Sequence, residues 1–187
     1  MAGTLPGWLT CIYVAFVDYK LLYFTCRGEY NSLEQYFYIE VKQMIGIIVA
    51  SHGTLASQLI KSSEFICGEL NNVDFVHLDE SGVELFRERL LQLVHKAHAV
   101  YDHILFLVDL KDGTPYNELS RLIYSGICSE DRLVSGVNLA MLMEAAISST
   151  DVSSIDELVA AAVETGRSNI APMVITEVAE DSDDENL

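Results

Sequence analysis

A histidine stands where a buried strand is predicted to turn into a helix. His52 lies between Ser51 and Gly53 in the stretch VASHGTLA, directly after an apolar run over residues 45–49. An imidazole acts as a base or a nucleophile when a carboxylate accepts the proton of one ring nitrogen and leaves the other nitrogen unprotonated. The residue types at this turn therefore indicate chemistry at a titratable ring.

A second polar loop supplies a candidate carboxylate. Asp109 follows the apolar run over residues 104–108 and begins the stretch DLKDGTP. If the two strands are neighbours in a parallel sheet, Asp109 faces His52 across the crevice at their carboxyl ends, where ligands bind in such sheets. A helix that begins near Thr54 adds unpaired N–H groups and a partial positive charge, which suit a phosphoryl group. Thr114 can add a hydroxyl group from the second loop.

The pattern from Met44 onward predicts the fold class. Short apolar runs alternate with segments of helical periodicity, which is typical of an α/β fold. We expect a doubly wound, mostly parallel four-stranded sheet with helices on both faces and a short antiparallel edge strand near the C-terminus. The predicted strands cover residues 45–49, 73–78, 104–108 and 133–137, with the edge strand over 173–178.

Local signals predict where several helices begin and end. Ser81 and Glu84 have the spacing of a capping box at the start of the second helix. Thr114 is expected to be the N-cap of the third helix, with Pro115 at its first helical position. The remaining predicted boundary residues are Asn138, Ser153 and Ser154 at helix starts, and Gly68, Gly126 and Gly166 at helix ends.

The chain divides into three parts by composition. Residues 1–43 are rich in aromatic and apolar side chains, but Asp18 and Lys20 interrupt the run, which falls short of a membrane span. We expect this part to be an N-terminal extension, either translated from a wrongly chosen start codon or poorly ordered. Residues 44–178 are predicted to form the domain, and the acidic residues 179–187 to be a disordered tail.

Charge and cysteine spacing exclude several classes of function. The chain carries 11 basic and 28 acidic residues, a net charge of -17, which repels nucleic acid and anionic lipid. Its four cysteines are widely spaced and include no C-x-x-C pair. These features favour a cytoplasmic protein with reduced cysteines and no nucleic-acid partner.

Four segments resemble one protein family in their order and spacing. They are GIIVASHGTLASQLIKSSEFICG, FLVDLKDGTPYNELSRL, VSGVNLAMLMEA and DELVAAAVETGR, and together they span residues 44 to about 168. They are similar to the enzyme IIA component of the mannose family in the phosphoenolpyruvate-dependent sugar phosphotransferase system. The resemblance implies a phosphotransferase that works as a phosphocarrier.

The resemblance also assigns residues to the site. It implies that His52 is the phosphoacceptor, forming a tele-phosphohistidine, and that Asp109 orients its ring. No metal or other cofactor is implied. The residues expected to bind the phosphoryl group are Gly53, Thr54, Gly113 and Thr114.

The resemblance implies partners as well. The phosphocarrier protein HPr would donate the phosphoryl group, and a histidine of the cognate enzyme IIB would accept it for sugar uptake. A homodimer is implied, with the last strand exchanged between subunits. The membrane would be reached only indirectly, through the permease complex, and the transported sugar is not encoded in this segment.

The sequence departs from the family pattern at two positions. Asp112 stands where the family typically has the first of two glycines, and Ala140 stands where it typically has proline. A second carboxylate near the site could disfavour the phosphorylated state by charge repulsion unless it points to solvent. Asp112 is therefore the position at which the structure is most informative.

Other functions remain open at this point. A regulatory domain of the same fold, of the dihydroxyacetone kinase or transcription regulator type, is the main alternative. A hydrolase using Ser51, His52 and Asp109 is disfavoured because the chain has no G-x-S-x-G turn. His95 and His98 have the spacing of a metal pair but lack a clear third ligand, and structural roles are expected for His77 and His103.

Overall fold

The computed structural model describes residues 43–174 and three strands that precede them. These strands, β1 (Ile12–Val17), β2 (Leu21–Cys26) and β3 (Gln35–Glu40), form an antiparallel sheet of their own in the order β1-β2-β3. The assignment of residues 1–43 as an added extension stays a prediction. The expected acidic tail, residues 179–187, lies outside the described residues.

A second sheet with five helices contains the predicted α/β pattern. Its four strands are all parallel and are ordered β5-β4-β6-β7, which confirms the predicted fold class. The strands are β4 (Ile45–His52), β5 (Val73–Leu78), β6 (His103–Val108) and β7 (Arg132–Ser135). The helices are α1 (Leu55–Cys67), α2 (Val83–His98), α3 (Thr114–Tyr124), α4 (Leu139–Ser148) and α5 (Ile155–Ser168).

The strand order creates a crevice between two particular strands. The connection through α1 carries the chain from β4 to β5 on one side, and the connection through α2 returns it to β6 on the other side of β4. β5 and β6 thus lie on opposite sides of β4, so the strand order reverses between β4 and β6. The carboxyl ends of these two strands therefore form the position at which ligands bind in sheets of this type.

Both faces of the central strands are covered by helices. Ile45, Ile47 and Val49 pack into the core beneath α1, α4 and α5, whereas Ile48 and Ala50 pack into the core beneath α2 and α3. Residues 104–108 of β6 are fully buried. Burial on both faces explains why these strands read as continuous apolar runs rather than as alternating patterns.

Two predicted helix starts are confirmed by their hydrogen bonds. The side chain of Asn138 accepts from the N–H of Met141 at 3.0 Å and so caps α4. The hydroxyl oxygen of Ser154 accepts from the N–H of Glu157 at 3.2 Å and caps α5. Each bond satisfies one of the N–H groups that a helix leaves unpaired in its first turn.

Two other predicted starts are wrong. Gly82, not Ser81, is the N-cap of α2, because the hydroxyl and N–H groups of Ser81 both donate to the carboxylate of Asp79. Gly113 is the N-cap of α3, so Thr114 is the first helical residue rather than the cap. In the first loop the bonds of Ser81 to Asp79 move the N-cap one residue later than predicted. In the second loop the turn at Gly113 places the N-cap one residue earlier than predicted.

Gly166 lies inside α5 instead of ending it. The helix continues to Ser168, and a Cβ atom at position 166 would come within 2.9 Å of the side chain of Met141. The glycine therefore permits α4 and α5 to pack closely. Its presence in the sequence reflects helix packing and not helix termination.

The predicted edge strand over residues 173–178 is not shown. Met173 and Val174 belong to no strand, and residues 175–178 lie outside the described part of the chain. The described strands of the second sheet are consequently all parallel. Among the described helices, none combines the length and the apolar character needed to cross a bilayer.

An ion-pair cluster joins α2 to α3. The guanidinium of Arg87 donates from Nε to Glu118 Oε2 at 2.6 Å and from Nη2 to Oε1 at 2.9 Å, and Arg121 adds a third bond at 3.1 Å. Glu118 is buried. The hydrogen bonds from Arg87 hold the pKa of Glu118 below its ordinary value of 4.5.

We expect Glu118→Gln to lower the free energy of unfolding by about 1 kcal/mol at pH 7, because an amide cannot accept both Arg87 bonds. A carboxylate with a lowered pKa stabilises the fold above its unfolded pKa and loses that contribution as the pH falls through its folded value. The difference between variant and wild type should therefore shrink below about pH 4.5. Urea titrations at pH 7 and pH 4 measure it, and an equal difference at both values would contradict the assignment.

Candidate functional site

The crevice between β4 and β6 brings the two expected side chains into contact. His52 is the last residue of β4, and Asp109 directly follows β6. The Nδ1 atom of His52 lies 2.9 Å from Oδ2 of Asp109. The side chain of His52 is 44% exposed, whereas that of Asp109 is 12% exposed. A mostly buried carboxylate therefore holds a ring that is nearly half exposed.

The carboxylate of Asp109 is fully engaged. Its Oδ2 atom also accepts from the main-chain N–H of His52 at 2.8 Å, and its Oδ1 atom accepts from the N–H of Leu110 at 2.8 Å. An ionised carboxylate only accepts hydrogen bonds, so Nδ1 of His52 carries the proton and Nε2 presents a lone pair. The arrangement fixes both the orientation and the tautomer of the imidazole.

The loop between β6 and α3 packs against the imidazole ring of His52. A Cβ atom at Gly113 would lie 3.0 Å from Cε1 of His52 and 3.2 Å from the carbonyl oxygen of Leu110. The absence of a side chain at Gly113 therefore lets this loop contact the ring edge. Gly113 acts here through its size, because its φ of -71° is accessible to any residue.

The N–H groups of both site glycines are already used. Gly53 donates to the carbonyl oxygen of Leu78 at 2.9 Å, and Gly113 donates to the carbonyl oxygen of Leu110 at 3.3 Å. Gly53 has a φ of 54°, a conformation that glycine adopts without strain. Both glycines therefore shape the turns in this structure, and neither has a free N–H to offer a ligand.

Free donors are found one residue further along each turn. The hydrogen bonds described for residues 43–174 leave the N–H groups of Thr54, Leu55 and Thr114 without a protein partner. These groups belong to the N-termini of α1 and α3, where the helix dipole is positive. Two helices from opposite faces of the sheet thus begin at one crevice, a geometry suited to an anion on His52.

Asp112 occupies a left-handed turn position. Its φ is 61°, and its carbonyl oxygen accepts from the side-chain amide of Asn117 at 2.9 Å. The residue is exposed, and among the described contacts none joins its carboxylate to His52. Aspartate is one of the few non-glycine residues that tolerate this conformation, which explains how it can replace glycine here.

Ser51 is not available as a nucleophile. Its side chain is fully buried, and its hydroxyl oxygen accepts from the N–H of Ala56 at 2.8 Å. The hydrolase arrangement considered for Ser51, His52 and Asp109 therefore has no accessible serine. Ser51 instead anchors the first turn of α1 to β4.

The other histidines are placed elsewhere. Nε2 of His98 lies 2.9 Å from the buried carboxylate of Asp131, and Nδ1 of His103 lies 3.1 Å from the carbonyl oxygen of Glu130. His95 is exposed on α2. His77 accepts the N–H of Ser57 in the first turn of α1, a contact that the residues around His77 in the sequence did not indicate. Predicting this contact would require knowing how β5 pairs with β4, and the linear sequence does not give that pairing.

An acidic loop follows the carboxyl end of β5. Asp79 accepts hydrogen bonds from the hydroxyl and the N–H of Ser81 and pairs with Arg89 at 3.1 Å. The bonds from Ser81 and then from Arg89 lower the pKa of Asp79 from 3.8 to about 2. The carboxylate is therefore ionised at neutral pH.

Comparison with known proteins identifies the family. The family model for the PTS system fructose IIA component matches residues 46–163. The mannose-specific EIIAB component of the phosphotransferase system (PTS) of Escherichia coli strain K12 is 38% identical over 131 residues, which are 67% of this chain and 38% of that protein. The chain thus spans less than half of that relative's length.

Solved structures agree with this match. The mannose/sorbose-specific IIA subunit from Enterococcus faecalis aligns with a TM-score of 0.64 and 33% identity, covering 71% of this chain and 97% of that one. A sigma-54 interaction domain protein from the same organism aligns with a TM-score of 0.58 and 16% identity over 70% of this chain and 96% of that one, and shows the fold alone. The chain belongs to the mannose-type IIA family of the sugar phosphotransferase system.

Proposed function

We propose that this protein is a phosphocarrier in which Nε2 of His52 accepts a phosphoryl group from phospho-HPr and passes it to a histidine of enzyme IIB. The observation that carries the proposal is the bond between Nδ1 of His52 and Asp109, which leaves Nε2 unprotonated on a half-exposed ring. Membership in the IIA family supports the same role. The product on His52 is a tele-phosphohistidine.

The transfer exchanges one nitrogen–phosphorus bond for another. The lone pair of Nε2 attacks phosphorus in line while the bond between phosphorus and the donor histidine breaks, and its electrons return to the donor ring. Positioning and electrostatic stabilisation provide most of the catalysis in phosphoryl transfer. Because donor and product are both phosphohistidines, the step is nearly balanced in free energy and is readily reversed.

The donors for the transferred phosphoryl group come from the helix N-termini. The free N–H groups of Thr54 and Thr114, with the hydroxyl groups of these residues, support the proposed phosphate-binding roles. Gly53 and Gly113 contribute through the shape of their turns, since their N–H groups bond to carbonyl oxygens. The proposal therefore assigns different tasks to the four expected phosphate-binding residues.

A homodimer is part of the proposal. In the described sheet β7 is an edge strand, and a groove of about 350 Å³ lies beside it, lined by residues of β7, α4 and α5. An exposed strand edge of this kind can pair with a further strand. An exchanged C-terminal strand from a second copy would occupy this edge.

The regulatory alternative is less well supported. Its sigma-54 neighbour shares the fold at 16% identity, whereas the two phosphotransferase-system relatives described above share 33% and 38% identity with this chain. Both kinds of protein would accept a phosphoryl group. Onward transfer to enzyme IIB, and not acceptance itself, separates them.

We expect Asp112→Gly to raise the free energy of unfolding by up to about 1 kcal/mol, because glycine removes the steric cost of the left-handed backbone. Asp112→Ala should destabilise the protein for the same reason. Since the carboxylate is exposed, the rate of phosphoryl acceptance should change less than twofold. Urea denaturation and the transfer assay measure the two effects. A large gain in rate for both variants would show that Asp112 repels the phosphoryl group.

Incubation with phosphoenolpyruvate, enzyme I and HPr should add one acid-labile phosphoryl group, measured by intact mass. We expect His52→Ala to abolish this gain, because it removes the accepting nitrogen. His95→Ala is the matched control, since His95 is exposed on α2 and should leave acceptance intact. An unmodified wild type, or a labelled His52→Ala variant, would refute the proposed function.

Asp109→Asn should fold normally but accept the phosphoryl group roughly tenfold more slowly or worse. The carboxylate accepts three N–H bonds, two from His52 and one from Leu110, so either orientation of an amide turns its NH₂ group towards an N–H donor. Thermal unfolding monitors the fold, and quenched-flow transfer from phospho-HPr gives the rate. A wild-type rate would remove the orienting role of Asp109.

A further inference from the structure

The first turn of α1 is held by the sheet rather than by its own N-cap residue. Among the described hydrogen bonds, none comes from the side chain of Thr54 to this turn. Instead the N–H of Ala56 donates to Oγ of Ser51 at 2.8 Å, and the N–H of Ser57 donates to Nε2 of His77 at 3.3 Å. Two side chains from neighbouring strands thus replace the usual helix cap.

These two side chains act at the same level of the sheet. Ser51 of β4 and His77 of β5 are paired in the parallel register, so their side chains project from the same face towards α1. The next residue of β5, Leu78, accepts the N–H of Gly53 through its carbonyl oxygen at 2.9 Å. The end of β5 therefore makes two contacts with the turn that follows His52. One is from the main-chain carbonyl of Leu78, and the other is from the side chain of His77.

The contact requires a particular form of the His77 ring. Nε2 can accept the N–H of Ser57 only when it is unprotonated, so the contact requires the tautomer of the neutral ring in which Nδ1 carries the proton. The ring stacks on Phe75, with centroids 4.9 Å apart and planes inclined by 30°. This stacking restricts the orientation of the ring in front of the helix.

We propose that His77 is a positioning residue for phosphorylation at His52, acting by holding the first turn of α1 through the N–H of Ser57. With Ala56 and Ser57 bonded to the sheet, the N–H groups left free at this end of α1 are those of Thr54 and Leu55. These two residues follow His52 and Gly53 directly in the chain. The role of His77 towards the phosphoryl group rests on the proposed function, whereas its contact with Ser57 does not.

The test compares two replacements of His77. In His77→Gln the side-chain oxygen reaches about as far as Nε2 and can accept the same N–H, whereas His77→Phe retains a stacked ring but has no acceptor. His95→Phe is the matched control on the exposed face of α2. Each variant is studied by amide hydrogen exchange at Ser57 and by phosphoryl transfer from phospho-HPr, at a temperature at which thermal unfolding shows it to be folded.

We expect His77→Phe to speed exchange at Ser57 and to slow the maximal transfer rate by about fivefold each, the factor that corresponds to the loss of one helix cap. The Michaelis constant for phospho-HPr should change little, because His77 is not in the crevice. His77→Gln should restore both readouts, and His95→Phe should match wild type.

Three outcomes would overturn the inference. Unchanged exchange at Ser57 in folded His77→Phe would show that the contact does not hold the turn. Faster exchange with an unchanged transfer rate would show that the held turn does not matter for phosphorylation. A wild type that accepts no phosphoryl group would refute the proposed function, while the exchange result would still report on the contact.

Discussion

One oxygen atom connects the sheet to the reactive ring. Oδ2 of Asp109 accepts from both the main-chain N–H and the ring Nδ1 of His52, so the same atom fixes where the residue lies and how its imidazole is turned. This double contact is possible only where β4 and β6 are adjacent and end at the same level. The topology, the two-sided burial of both strands and the small size of Gly113 are all conditions for that single interaction.

A structural feature was predictable from the sequence when the residues that determine it lie close together in the chain. The end of α1 and the limits of β5 were predictable because the helical periodicity, Gly68 and the short strand pattern VDFVHL lie in or directly beside these segments. The meeting of His52 with Asp109 was predictable from a rule about parallel sheets. The N-caps of α2 and α3 were misplaced because Ser81 bonds to Asp79 and because Gly113 occupies the cap position of α3.

At the site, too, the features set by nearby residues were predictable, and those set by contacts between distant segments were not. The sequence pattern indicated a histidine, a carboxylate, one helix N-terminus and the hydroxyl group of Thr114, and the structure brings the histidine and the carboxylate into contact beside the N-termini of two helices. The sequence pattern could not indicate which N–H groups were free, since that depends on Leu78 and Leu110 as acceptors. The contact of His77 with Ser57 depends on the pairing of β5 with β4, so no local pattern announces it.

The use of the Gly53 and Gly113 N–H groups within their own turns has a thermodynamic consequence. A phosphoryl group on Nε2 of His52 would meet few main-chain donors, at the ends of α1 and α3. Each additional donor that stabilised the phosphorylated ring would lower the free energy released when the group moves on. In the proposed relay, a phosphoryl group that accepts few hydrogen bonds therefore keeps a high group-transfer potential. The N–H groups of Gly53 and Gly113 contribute to this potential because they bond to carbonyl oxygens and not to the phosphoryl group.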